Sequence, residues 1–285
     1  MLTSPRDLLR GYVEISSLPK IHARLDEAIN NPRKSMADIA KIIREDAGLS
    51  ARLLRIVNSV FYSFPSKVET ITHAVTIVGT QQLGALALAT SVVDLFKGIP
   101  KEFVTMESFW RHSVGCGLAA RTLATFRREP NVERLFVAGM MHDIGRLVMF
   151  TKAEDLSQET IARCTQENMM LYDAEREVIG YSHAAIGGSL MELWKLPISL
   201  EEVVRCHHDP GTAVHYPVEA AIIHVADIVA HVMQLGSSGE HYVPPLEKSA
   251  WNLLGFTEGI LRATMKTVEQ QYDDAIDSMG VHNRS

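Results

Sequence analysis

Between Val137 and Phe150 the chain reads Val-Ala-Gly-Met-Met-His-Asp-Ile-Gly-Arg-Leu-Val-Met-Phe, with apolar residues at helical spacing around an adjacent imidazole and carboxylate. This pattern predicts a core helix. A carboxylate in such a place loses several kcal/mol of solvation unless a cation or hydrogen-bond donors replace the water. His142 and Asp143 therefore require partners from elsewhere in the chain. Taken alone, a satisfied core His beside a capping or salt-bridged Asp is the simpler account, so the other polar residues in apolar stretches decide the matter.

Those residues form an ordered series. A helix expected over about Glu107 to Phe126 carries His112 among Trp110, Val114, Leu118 and Leu123. Ser182-His183 follows Gly180, at the start of a helix over Ala184 to Trp194 that Pro197 ends. Ser199-Leu200-Glu201-Glu202 fits a capping box for a short helix running into Cys206-His207-His208-Asp209-Pro210. The apolar stretch Ala220 to Leu235 holds His224 and Asp227.

Together His112, His142, Asp143, His183, His207, His208 and Asp227 suit two divalent transition-metal ions. Asp143 bridges in this reading. His112, His142 and Asp227 complete the first site, and His183 with His207 or His208 the second. No thiol is among the ligands, which favours Fe, Mn, Zn or Ni over a structural zinc knuckle. Arg146 lies one turn from His142 and shares its face, where it either binds a substrate phosphate or is a surface or carboxylate-paired Arg. His224 reads as a core histidine or as a group orienting a ligand. His22, His73, His215, His231, His241 and His282 join no constellation and read as ordinary polar positions.

The rest of the chain predicts an all-α, multi-helix bundle. Ile21, Leu25, Ala28 and Ile29 share a face before Asn30-Asn31-Pro32, Ile39, Ile42 and Ile43 mark the next helix, and Ser50 is expected to cap a helix over Ala51 to Ser59. Phe61 to Lys67 is an aromatic loop, followed by helices over Thr72 to Val78 and Gln81 to Phe96. Gly98-Ile99-Pro100 is the expected boundary between an N-terminal part (1–98) and a second part (99–285). Gly236-Ser237-Ser238-Gly239 reads as a flexible connector before two more amphipathic helices.

A hydrophobic content of 46% is ample for a core in 285 residues. The formal charge of -6, without a long basic run, implies no nucleic-acid partner. No secretory or membrane-spanning segment is evident, and three scattered cysteines suit reduced, buried thiols, so a cytoplasmic protein is expected.

The series His, His-Asp, His, His-His, Asp over about residues 105 to 235 resembles the HD superfamily of metal-dependent phosphohydrolases, with His142-Asp143-Ile144-Gly145-Arg146 similar to its signature. The N-terminal part resembles the HDOD domain of bacterial signalling proteins through Leu18-Pro19, Asp46 to Ser50, Asn58-Ser59 with its aromatic loop, and Ala74 to Gly79. HDOD domains commonly lack the metal ligands and serve as regulatory or interaction modules, whereas this sequence keeps the set. Compared with the cyclic di-GMP phosphodiesterases of the HD-GYP type, Tyr216-Pro217 lacks the preceding Gly, and Asp209 stands where that family has Glu.

The resemblance thus implies a regulatory HDOD protein with a dinuclear metal centre, iron foremost, and a signalling partner supplied in trans. A phosphohydrolase or phosphodiesterase acting on a nucleotide or other phosphoester is the alternative, with Asp143 and Arg146 as its catalytic residues. A di-iron oxygenase is a second alternative.

Overall fold

The computed structural model describes residues 4–9, 20–60, 62, 64–92, 95–96 and 99–281. Leu18-Pro19, Phe61, Gly98 and His282, all singled out in the sequence, lie outside them. Every regular element among the described residues is helical. The helices run α1 (Pro5–Leu9), α2 (Lys20–Ile29), α3 (Met36–Arg44), α4 (Ala47–Val57), α5 (Ile71–Val78), α6 (Thr80–Val92), α7 (Met106–Arg127), α8 (Val132–Met141), α9 (Ile144–Lys152), α10 (Glu154–Glu167), α11 (Leu171–Val178), α12 (His183–Leu193), α13 (Ile198–Cys206), α14 (Pro217–Val232), α15 (Lys248–Leu254) and α16 (Glu258–Met279).

Short polar residues set many of these boundaries. Ser35 and Asp38 form a reciprocal capping box at α3. Thr70 accepts from the backbone N–H of His73, and Thr105 from that of Ser108, so α5 and α7 begin where their first orphan donors find an oxygen. Two expected caps lie elsewhere. Asp46, not Ser50, caps α4 by accepting from the Leu49 N–H at 2.8 Å, which starts that helix at Ala47. Ser199 falls inside α13, and no side-chain cap is present there. Its expected partner Glu202 instead accepts from the N–H groups of Val214, His215 and Tyr216, just before α14. The carboxylate thus serves the orphan donors of the following segment.

Helix α7 is the axis of the bundle, with α8, α14 and α16 packed around it. Buried apolar side chains from Leu8 to Val281 form one contiguous core, in which Ile99 takes part, with a small satellite of Cys164, Leu171 and Ala174. In the first half, Asn58 closes the aromatic loop: its side chain donates to the Val68 carbonyl at 2.8 Å and accepts from the Val68 N–H at 2.7 Å.

One close approach governs the rest. A Cβ on Gly139 would stand 2.8 Å from the Gly117 Cα, and one on Gly117 would stand 2.8 Å from the Phe136 carbonyl oxygen. Facing glycines let α7 and α8 touch backbone to backbone, which brings His112 and His142 into one neighbourhood.

Candidate metal centre

The expected helix over Val137 to Phe150 is two helices. Chain direction breaks at His142-Asp143, between α8 and α9, where Asp143 has φ −95° and ψ 5°. Asp143 occupies the N-cap position of α9, but its side chain caps nothing. The carboxylate is instead turned into a cluster of imidazoles, and the break gives it that freedom.

All seven predicted ligands converge there. His112, His142, His183 and His207 are fully buried, and Asp143, Asp227 and His208 nearly so. Asp143 divides its oxygens between two sets. Oδ1 lies 2.8 Å from His183 Nε2 and 3.7 Å from His207 Nε2, while Oδ2 lies 3.2 Å from His142 Nε2 and 3.7 Å from His112 Nε2. On the first side, Asp227 Oδ1 is 3.1 Å from His112 Nε2 and 3.4 Å from His142 Nε2. On the second, His183 Nε2 is 3.0 Å from His208 Nε2 and 3.4 Å from His207 Nε2, so both residues of the His207-His208 pair are present.

Hydrogen bonds on the far side of the rings assign the tautomers. His142 Nδ1 donates to the Gly139 carbonyl and His207 Nδ1 to the Val204 carbonyl, each at 2.7 Å. His183 Nδ1 donates to Glu175 at 2.6 Å, and Glu175 also accepts from the His183 backbone N–H at 2.7 Å. A neutral imidazole has one N–H, so in their neutral forms these three rings present a bare Nε2 lone pair to the cluster.

His142 Nε2 faces two carboxylates without a hydrogen bond to either, and Asp143 Oδ1 likewise has none. Acceptors facing acceptors in a dry interior need positive charge between them. Donors about 2.1 Å from a shared ion, at right or tetrahedral angles, stand roughly 3.0–3.4 Å apart, near the separations found here. The buried His/Asp cluster could therefore bind a metal.

Without an ion, proton uptake by His142 and His183 supplies that charge. Burial alone would raise Asp143, but His142, Arg146 and His183 hold it well below the usual carboxylate range. Burial would likewise raise Asp227, which His231 and His112 outweigh. Burial would lower His142, yet the adjacent Asp143 carries it well above the ordinary imidazole value. Burial and two neighbouring imidazoles push His207 down to about 3, and His208 moves the same way. Both offer lone pairs at neutral pH without losing a proton first.

Arg146 is buried among carboxylates, 3.6 Å from Asp143, 3.8 Å from Glu175 and 3.9 Å from Glu240, with its Nη1 3.3 Å from Ser238 Oγ. Ser238 and Glu240 belong to the stretch expected to be a flexible connector and its sequel. That expectation is corrected: Ser238 and Glu240 are buried, and Glu240 accepts from the Leu171, His241 and Tyr242 N–H groups. His224 donates to the His207 carbonyl and accepts from the Glu247 N–H, so it fixes the backbone of a candidate ligand.

Three residues were missed in the sequence. Glu175 and Glu240 look like ordinary surface acids there, and His231 joins the cluster 3.3 Å from Asp227. Only His231 had a readable signal, its i,i+4 spacing from Asp227 on α14. Over the second set, Tyr172 stacks on His208 with ring centroids 4.2 Å apart, and Arg176 lies over Tyr172 while pairing with Asp173 and Asp209.

Fold and site together define an all-helical protein built around a buried His/Asp cluster. The chain belongs to the HDOD domain family, whose model matches residues 15–210. It is similar over its whole length to an HDOD domain protein of unknown function from Geobacter sulfurreducens, at 23% identity and TM-score 0.74, covering 98% of that chain. A provisionally named phosphohydrolase from Shewanella amazonensis SB2B matches 96% of this chain and 97% of its own, at 24% identity and TM-score 0.73.

A provisionally named signal transduction protein from Marinobacter aquaeolei VT8 matches 97% of this chain and 65% of its own, at 19% identity and TM-score 0.72. These likenesses show the fold. An uncharacterized protein of Treponema pallidum (strain Nichols) is 23% identical over 266 residues, 91% of this chain, and the chain spans about half the length of that relative. No single helix among the described residues is long and apolar enough to cross a membrane.

Proposed function

We propose that this chain is a metal-bearing HDOD regulatory protein in which Asp143 joins two divalent transition-metal ions, iron foremost, and which acts on a signalling partner in trans. The first ion is held by His112, His142 and Asp227, and the second by His183, His207 and His208. The observation that carries this reading is the division of Asp143: each oxygen faces its own set of imidazoles, and three of those rings have committed their Nδ1 protons elsewhere. Imidazole and carboxylate donors without thiolate suit Fe, Mn, Zn or Ni.

Burial favours a regulatory over a catalytic role, because every ligand is at most 6% exposed. Arg146, the residue that would meet a substrate phosphate, is enclosed by Asp143, Glu175 and Glu240.

A second reading, phosphoester hydrolysis, is favoured by the placement of a buried guanidinium within 3.6 Å of the bridging carboxylate. Metal ions held there supply Lewis acidity toward a phosphoryl oxygen. Asp143 then orients the centre, and Arg146 neutralises charge that develops on the phosphoryl group.

Elemental analysis of the purified protein, with a panel of phosphoesters and cyclic dinucleotides, tests both readings. Near two equivalents of metal are expected, with no turnover of the panel. Chelation should remove about 4 kcal/mol of stability if metal was about a thousandfold above its Kd, since ions that bind only the folded state stabilise it by mass action. Metal-free protein of unchanged stability, after growth in metal-replete medium, refutes the centre; turnover by the metal-loaded protein transfers the conclusion to the hydrolase.

A further inference from the structure

The α14 side of the cluster holds a third imidazole that the reading above does not use. Asp227 and His231 stand at i and i+4 on α14, the spacing that puts two side chains on one helix face and that recurs in helical metal-ligand pairs. His231 Nε2 lies 3.3 Å from Asp227 Oδ1, and its ring centroid is 4.6 Å from that of His112. Single donor atoms from His112, Asp227 and His231 come close enough together to share one ion.

Hydrogen bonding accounts for only part of this grouping. Three Nε2 atoms, from His112, His231 and His142, lie 3.1, 3.3 and 3.4 Å from the single oxygen Asp227 Oδ1. A carboxylate oxygen has two lone pairs, which His112 and His231 can fill as donors, but neutral His142 has spent its only proton on the Gly139 carbonyl and so turns a lone pair toward that oxygen. An ion among these nitrogens and that oxygen resolves the acceptor-to-acceptor contact of His142 with Asp227.

We infer that His231 is a direct ligand of the ion held by His112, His142 and Asp227, so that each half of the centre takes three imidazoles. The assignment rests on the dinuclear reading above. It gives the two halves different donor sets, since the α14 half adds Asp227 to the shared Asp143 while the other half has Asp143 alone. His231 is partly exposed whereas the other ligands are buried, so this half is the one that borders solvent. An ion that prefers five or six nitrogen and oxygen donors belongs there, and a four-coordinate ion suits the half with His183, His207 and His208.

The test uses the full chain stripped of metal and reloaded with Co2+, comparing wild type with His231→Ala and His231→Cys. Bound cobalt is counted by elemental analysis, competition with a chelator gives the affinity of each equivalent, and circular dichroism checks the fold. The expected result is two equivalents in wild type and loss of one equivalent, or at least about tenfold weaker binding of it, in His231→Ala. In His231→Cys a thiolate-to-cobalt charge-transfer absorption should appear in the near ultraviolet that wild type, which already contains Cys116, does not show.

Two equivalents in wild type with both variants unchanged, and no such absorption, overturns the assignment while leaving the dinuclear centre in place. Weaker binding in His231→Ala without the absorption in His231→Cys makes His231 a positioning residue for Asp227, and also overturns it. Failure of wild type to take up cobalt removes the dinuclear reading and this assignment with it.

Discussion

Replacing Gly145 by Ala puts the geometry of the centre to a quantitative test. Gly145 lies on α9, two residues beyond Asp143, and a Cβ there would stand 2.0 Å from the His183 carbonyl oxygen and 2.8 Å from the Gly187 N. Both atoms are backbone of α12 and cannot rotate away. Restoring an ordinary contact of about 3.4 Å to the carbonyl requires α9 and α12 to separate by about 1.4 Å. His183 Nε2 and Asp143 Oδ1 are 2.8 Å apart, and the shift takes them to about 4 Å, the limit at which two donors can share an ion.

The cost should lie near or above the upper end of the roughly 1–3 kcal/mol typical of overpacking. Thermal melts should show a fall on the order of 5 °C or more, with loss of the metal bound between Asp143 and His183. Gly259→Ala is the control: its Cβ would meet only Thr257 Oγ1, at 3.5 Å, and stability should hold or rise slightly. A Gly145→Ala protein with unchanged melting temperature and metal content would refute the claim that this helix contact sets the ligand spacing.

Glu175→Gln should preserve the fold and weaken metal binding on the His183 side by about 10- to 100-fold, measured by chelator competition, because the amide loses the charge that holds His183 Nδ1–H. Arg146→Ala should cost about 3–5 kcal/mol in urea denaturation, since it leaves Asp143, Glu175 and Glu240 buried without their shared cation; a loss under about 1 kcal/mol would show those acids are otherwise compensated.

The metal-free protein should be most stable near neutrality. Depressed His207, His208, Asp143 and Asp227 make the unfolded chain bind more protons in acid, so stability falls as pH drops below about 6.5. Raised His142, His183 and His231 hold protons that the unfolded chain releases, so stability also falls as pH climbs above about 6.5. Metal bound as proposed would occupy those nitrogens, so melts of the loaded protein should lack the alkaline decline.

Helical periodicity, Asp143 and the order of the His residues were legible because each depends on local spacing or on the conflict between a charge and an apolar stretch. The break at His142-Asp143 was not, since apolar spacing continues across it and only tertiary contact with α12 shows why two helices are needed. Glu175 and Glu240 were illegible for a related reason. An acid on an amphipathic helix or after a Gly-Ser run looks solvated until Arg146 and backbone donors from other elements surround it. The Ser199 cap failed because Glu202 had a stronger claim, three orphan N–H groups ahead of α14. His231 was set aside although its spacing from Asp227 was available, because the helix that holds both reads first as core.

Tyr172 lies flat over His208, held down by Arg176, whose partners Asp173 and Asp209 are at the surface. The stacked ring blocks His208 from swinging outward, so escape of an ion proposed on that side would be slowed until α11 moves. Because the clasp is made of exposed ion pairs, added salt should hasten that escape through screening while leaving the equilibrium geometry of the ligands untouched.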